Sequence, residues 1–253
     1  MMVDSGGLAR EPVSLAGLLD GSAPGVVTSA DSVLPDALEG LAERPLGIGD
    51  RRDLLLGAST PLDRLPAGTA IASSDARSTA LLRAHHPRLR PTAPGAFRLD
   101  REGGERLQIR PLWPAPELES SGEVLEPASW LPAPGQGLAV LLHRPEVAHR
   151  FQHLPADPHT GAILTAERAV GAAFPAAVPL VQGWVFGEWL GLGAVILSRD
   201  GRQAVRGRLR GSFADPLGLA ERLVALLMDR GAAFLKDAGA GSHALADPAA
   251  DSG

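Results

Sequence analysis

The chain has 253 residues, 45% hydrophobic and 21% charged, with a formal net charge of −5, enough for two or three small domains, each with its own core. It contains no cysteine, which excludes disulfide frameworks, thiolate metal sites and thiol catalysis, and its acidic excess leaves no basic footprint for nucleic acid or an anionic membrane. Lys236 is the single lysine and no G-x-x-x-x-G-K-[ST] motif occurs, which argues against a Schiff base or a Walker-type phosphate loop.

In chain order, residues 7–20 place Leu8, Val13, Leu15, Leu18 and Leu19 on one face of a short helix despite Pro12. A strand follows at Gly25–Thr28, then a polar turn through Asp31, Ser32 and Pro35, and another strand at Arg52–Leu56. Leu65–Gly68 is a turn and Thr69–Ala72 a short buried strand. Ser73, Ser74 and Asp75 supply N-cap chemistry for a helix over Ala76–His85, stopped by Pro87. A strand running into two serines and a helix start is either an anion site, with free N–H groups aimed at a ligand, or simply a well-capped helix.

Residues 90–135 are proline-rich and weakly patterned, with one strand at Leu107–Leu112. Leu138–Leu142 is a continuous apolar strand, and Thr160–Phe174 a helix with Ile163, Leu164, Ala169 and Val170 inward. The apolar run Phe174–Leu197 is broken by Pro175, Pro179, glycines and Glu188, which suits strands better than a membrane helix. Trp184–Ser198 and Gln203–Leu209 read as strands joined at Arg199-Asp200-Gly201, a hairpin signal. Asp215-Pro216 starts a helix whose apolar face runs through Leu219, Leu223, Leu226, Leu227 and Phe234, and the tail from residue 240 has a disordered composition. No basic start precedes an apolar run near the N-terminus, so the expected location is cytoplasmic.

Chemistry-bearing clusters are few. His149 and His153 would share a helix face as in H-E-x-x-H, but Arg150 stands where that motif has its base, and Pro155 and Pro158 intervene before His159. Gly191-Leu192-Gly193-Ala194 lies in a strand with no following helix, and no G-x-S-x-G elbow occurs. The four tryptophans, Trp113, Trp130, Trp184 and Trp189, are core residues, hairpin-face residues or an aromatic shelf for a ligand.

Leu65–Leu89, LPAGTAIASSDARSTALLRAHHPRL, resembles the L-P-A-G, T-S-S-L-R-R-Q and R-R-P-x-L segment of the porphobilinogen deaminase (hydroxymethylbilane synthase) family. Similar segments recur in order. GGLAREPVSLAGLLDG is similar to the family's G-G-K-G-L-F helix, Gly49–Leu56 to E-D-P-R-D-A, and LPAPGQGLAV to L-P-A-x-G-Q-G. Thr165–Ala169 matches T-A-E-R-A, Val178-Pro179-Leu180 the end of the cofactor loop, and SRDGRQAVRGRLRG the late hairpin. The resemblance implies an α/β fold of two doubly wound, periplasmic-binding-protein-like domains, the first truncated, plus a small C-terminal α+β domain. The expected boundaries are residues 1–60 with 131–144, then 61–130, then 145–239. It also implies a transferase of tetrapyrrole biosynthesis that joins porphobilinogen units and releases ammonia, working from a dipyrromethane held by a loop cysteine.

The sequence departs from that pattern at the chemistry. Ala176 takes the cysteine position, so the dipyrromethane cannot be attached and no cofactor is expected. In the family's H-S-M-K-D-V-P segment Asp31 takes the lysine position and Ser32 the aspartate position. An acid one place along a strand faces the other way. Ser73, Ser74, Arg77, Arg98, Gln136 and Gly137 remain as candidate substrate-binding residues, whereas Ala76 and Asp75 replace an arginine and a leucine. The family's opening R-I-A-T-R-Q-S-P-L-A segment has no counterpart, which predicts a first domain that is rearranged, incomplete or finished by a protein partner or second copy. The expected function is a relative inactive in the family reaction that binds or converts another anionic, aromatic or pyrrolic small molecule, or else a non-catalytic scaffold or regulator.

Overall fold

The computed structural model describes residues 15–32, 39–73, 75–92, 107–113 and 122–237. The first half of the expected N-terminal helix, Ser74, Arg98 and the tail from residue 240 lie outside them.

Three sheets organise the described chain. The first contains β1 (Gly25–Ser29), β2 (Ala42–Ile48) and β8 (Leu138–His143) in the order β1-β8-β2. Both pairings are antiparallel, so the parallel strands expected of a doubly wound first domain are not among its described residues. The second sheet has the order β5-β4-β6-β3-β7, from β3 (Asp53–Leu56), β4 (Ala70–Ser73), β5 (Arg90–Thr92), β6 (Leu107–Pro111) and β7 (Gly122–Leu125). Here β4 is parallel to β5 and β6, and β3 is antiparallel to β6 and β7. β3 therefore lies within the sheet of residues 61–130, although sequence grouping placed it with the first unit. The third sheet is the antiparallel meander β9 (Val178–Phe186), β10 (Trp189–Leu197) and β11 (Ala204–Ser212).

Helices begin where side-chain caps are encoded. Asp75 accepts from the Ser78 N–H at the start of α2 (Ala76–His85). Asp157 accepts from the His159 and Thr160 N–H groups at α3 (Pro158–Ala172), and Asp215 from Gly218 at α4 (Pro216–Leu227). Each satisfies donors that the first helical turn leaves free. α1 is Leu15–Asp20 and α5 is Ala233–Asp237.

Three expectations change, and one strand, β2, was not anticipated. Trp184–Ser198 is not one strand: it is the end of β9, a Gly187-Glu188 turn with Gly187 at φ +58°, and β10. β2 gave no sequence signal because Pro45 interrupts it, and the pairing with β8 shifts register between Pro45 and Gly47. Phe234 is 80% exposed, because Gly231 at φ +99° breaks the helix ahead of it, and Ala232 and Leu235 of the last segment enter the core instead. His149 sits in a 3₁₀ segment, Pro145–Phe151, so the α-helical spacing assumed for it and His153 does not apply.

Two cores result. One joins the first sheet, α3, α4 and the inner face of the third sheet, around Phe174, Leu138, Leu142, Ile163, Leu192 and Leu223. The other joins the second sheet and α2 to Val178, Leu180, Val195 and Leu197 of the third. The chain passes from the first sheet to the second at residues 49–52 and returns at 126–137, and these crossovers run side by side, with the Gly49 N–H donating to the Gly137 carbonyl (2.7 Å). Gly137 is held at φ +69°, and a Cβ there would lie 2.5 Å from the Asp50 carbonyl oxygen. Gly137→Ala is therefore expected to cost about 1–3 kcal/mol in urea denaturation, with little change from Gly40→Ala by comparison beyond its own positive-φ penalty, since a Cβ at Gly40 meets nothing.

Candidate functional site

Charged side chains are almost never fully buried unless paired, yet Arg51, Asp53, Arg77 and Glu167 are all buried around the two crossovers, together with the amide of Gln136. Arg51 lies in the outgoing crossover. Its Nη2 donates to Glu167 Oε2 (2.7 Å) and its Nε to the Gln136 carbonyl (2.8 Å). Glu167, on α3, also accepts from the Gly135 N–H (2.8 Å) and the Gly183 N–H of β9 (2.6 Å). One carboxylate thus ties both crossovers to the third sheet.

Gln136 extends the network. Its side-chain nitrogen donates to the Arg51 carbonyl (3.0 Å) and to Asp53 Oδ1 (3.2 Å), and its side-chain oxygen accepts from the Ala133 N–H (3.0 Å). Asp53, the first residue of β3, lies 2.7 Å from Arg77 Nη2. Arg77 Nη1 donates to the Leu131 carbonyl (2.8 Å), so an arginine in the first turn of α2 reaches back to the returning crossover. Asp75 stands 3.8 Å from the same guanidinium while capping α2. Ser73 donates to the Asp75 carbonyl (2.8 Å) and accepts from Thr79.

Asp31 is brought close to this cluster. It lies in a 3₁₀ turn, Ala30–Ser32, not in a strand, so the alternation of strand faces does not govern it. Asp31 is half-buried and accepts from the Ser29 hydroxyl, which itself accepts from the Gly137 N–H (2.8 Å), whereas Ser32 is exposed. Burial pushes the Asp31 carboxyl above its ordinary range, against the opposing pull of the Ser29 hydrogen bond and of Arg77. Burial likewise raises Asp53, against Arg77 and Gln136.

Of the residues singled out by sequence, the structure gathers Asp31, Ser73, Arg77, Gln136 and Gly137 around the crossovers. Ser74 and Arg98 lie outside the described residues. Ala176 sits in the turn between α3 and β9, its carbonyl accepting from Arg199 Nε (3.0 Å). A methyl group there offers no sulfur for a thioether, so the residue present does not fit a covalently held dipyrromethane. Sequence reasoning missed Arg51, Asp53 and Glu167. Glu167 carried a signal: it lies on the apolar stripe of α3 with Ile163, Leu164 and Val170, where an acid needs a buried partner. Among the described residues no group of three or more His, Asp or Glu could hold a metal ion, and no helix is long and apolar enough to cross a membrane.

The chain is 35% identical over 202 residues to the porphobilinogen deaminase of Acidothermus cellulolyticus, a match covering 72% of this chain and 61% of that protein. It is 32% identical over 213 residues to the enzyme of that name from Roseiflexus sp., covering 79% and 70%. Against the one from Bordetella parapertussis it is 32% identical over 238 residues, covering 85% and 73%. No family model matches the chain. A mixed α/β chain of several sheets, with these relatives, defines the class; the chain belongs to the porphobilinogen deaminase family.

Two outcomes follow for this cluster. Glu167→Ala strands a buried guanidinium and is expected to cost about 3–5 kcal/mol of stability, whereas the double replacement Arg51→Met/Glu167→Leu recovers only part of that loss in urea unfolding, because the Gly135 and Gly183 N–H groups that donate to Glu167 are left without an acceptor. For Asp31, a raised folded-state pKa means the folded chain holds more protons than the unfolded one between the two values, so stability falls as pH rises through that interval. Asp31→Asn is expected to match the parent near pH 3 and to become progressively more stable than it as pH rises past about 4.

Proposed function

We propose that this family member does not carry out the polymerisation of porphobilinogen and acts as a non-catalytic protein of the tetrapyrrole-biosynthesis family. One observation carries the reading: the groups suited to an external carboxylate are engaged by the chain's own acids. Arg77 lies 2.7 Å from Asp53, and the N-terminus of α2, the anion site anticipated at Ser73–Asp75, is capped by Asp75. A substrate carboxylate would have to displace both, and Arg77 is buried. Removing an arginine–carboxylate pairing typically costs about 2–5 kcal/mol of binding, so internal competition of this kind weighs heavily against substrate capture. The absence of cysteine supports the same reading, because the family's primer needs a thioether.

A second reading keeps the crossover region as a binding site for another anionic or pyrrolic small molecule. It is favoured by Arg77 Nε, which is buried without a hydrogen-bond partner among the described residues.

Incubation of the purified chain with porphobilinogen, followed by intact mass and absorbance, separates these readings from the family reaction. No mass gain and no pyrrole product are expected. Turnover, or a stable adduct without cysteine, would overturn the proposal. Saturable calorimetric binding without turnover, lost in Arg77→Gln, would replace the first reading by the second.

A further inference from the structure

The third sheet has two unlike faces. Its inner face, with Leu190, Leu192, Ala194 and Ile196, packs into the core beneath α3 and α4. The outer face is covered at one end, where Val195 and Leu197 join the core under α2, and bare at the other. Register places Phe186 and Trp184 of β9, Trp189 and Gly191 of β10, and Arg208 and Arg210 of β11 on that bare half. They line a pocket of about 660 Å³, within the range of small-molecule sites.

The pocket has a built floor. A Cβ at Gly191 would lie 2.1 Å from the Trp184 ring, so the absence of a side chain lets the indole rest on the β10 backbone. The Arg208 guanidinium carbon lies 4.4 Å from the Trp184 ring centroid, and that of Arg210 lies 5.7 Å from the Trp189 centroid. Such cation–π contacts hold both kinds of side chain in place. Neither arginine has a carboxylate partner among the described residues, although the chain carries 29 acidic residues. Phe186 and Trp189 are 80% and 55% exposed. Two aromatic faces beside two uncompensated guanidinium groups complement one kind of molecule: flat, apolar across its faces and negatively charged at its edge.

We propose that this outer face is a binding site for a planar aromatic anion, an arene or heteroarene bearing carboxylate groups. It is separate from the crossover cluster and does not depend on how that cluster functions. The net charge of −5 disfavours a polyanion in the same place.

The test is calorimetric titration of the full chain with naphthalene-2,6-dicarboxylate, alongside the neutral naphthalene-2,6-dimethanol and a ten-nucleotide oligo(dT). Saturable one-to-one binding of the dicarboxylate is expected, with Kd on the order of 10–100 μM and weakened at least about tenfold in Arg208→Gln/Arg210→Gln and in Trp189→Ala. The dimethanol is expected not to bind. A second readout does not rely on variants: the indole N–H resonances of Trp184 and Trp189 shift on titration while those of Trp113 and Trp130 do not. No saturable heat, dicarboxylate and dimethanol binding alike, or shifts confined to Trp113 and Trp130 would each overturn the proposal. Oligo(dT) binding more tightly than the dicarboxylate with the same variant dependence would overturn it in favour of single-stranded nucleic acid.

Discussion

The buried Arg51–Glu167 pair is the interaction on which the arrangement of the three sheets depends. A lone carboxylate on the inward face of α3 or a lone guanidinium in a crossover would be too costly to bury. Together, with the Gly135 and Gly183 N–H groups filling the remaining acceptor sites of Glu167, they form a satisfied junction. The geometry requires both crossovers and β9 to meet at one point. Gln136 then fixes the crossovers to each other by bonds in both directions with Arg51, and Gly137 lets the returning strand pass where a Cβ would strike the Asp50 carbonyl.

The same requirement shapes the chemistry of the region. Polar residues gathered at the crossovers stand against one another: Arg77 lies against Asp53, Asp75 caps the α2 N-terminus, and Ser29 links Asp31 to the Gly137 N–H, while Arg77 Nε is left without a hydrogen-bond partner among the described residues. In a binding cleft some of these donors would face a ligand. On the function proposed above, the chain's own acids take the ligand's place at Arg77 and at the α2 N-terminus. A residue retained from a family pattern can therefore keep its place while its hydrogen bonds serve the fold.

The third sheet shows how one meander serves two ends. Alternation along β10 sends Leu190, Leu192, Ala194 and Ile196 to one core, and Val195 and Leu197 to the other. Glycine at 191, on the second face, leaves space that the Trp184 ring occupies. The tight turn at Gly201, whose Cβ would meet the Ala80 carbonyl of α2 at 2.4 Å, brings the covered end of the sheet against that helix.

Much of this was written locally. The caps at Asp75, Asp157 and Asp215, the apolar run Leu138–Leu142, the Asp200-Gly201 turn and the inward stripe of α4 through Leu219, Leu223 and Leu227 follow from short-range rules of donor satisfaction and periodicity, as does the family kinship carried by ordered segments. What needed the tertiary structure involves partners far apart in sequence. β2 is a strand because β8 lies beside it, and Pro45 hid it from any local pattern. Phe234 faces outward because Gly231 breaks the helix. Asp31 meets the crossover cluster because Ser29, which donates to it, accepts from the Gly137 N–H, 108 residues away in sequence. The pairing of Arg51 with Glu167, 116 residues apart, is decided only when burial makes an unpaired charge too costly, and burial is a property of the folded chain that no local stretch of sequence carries.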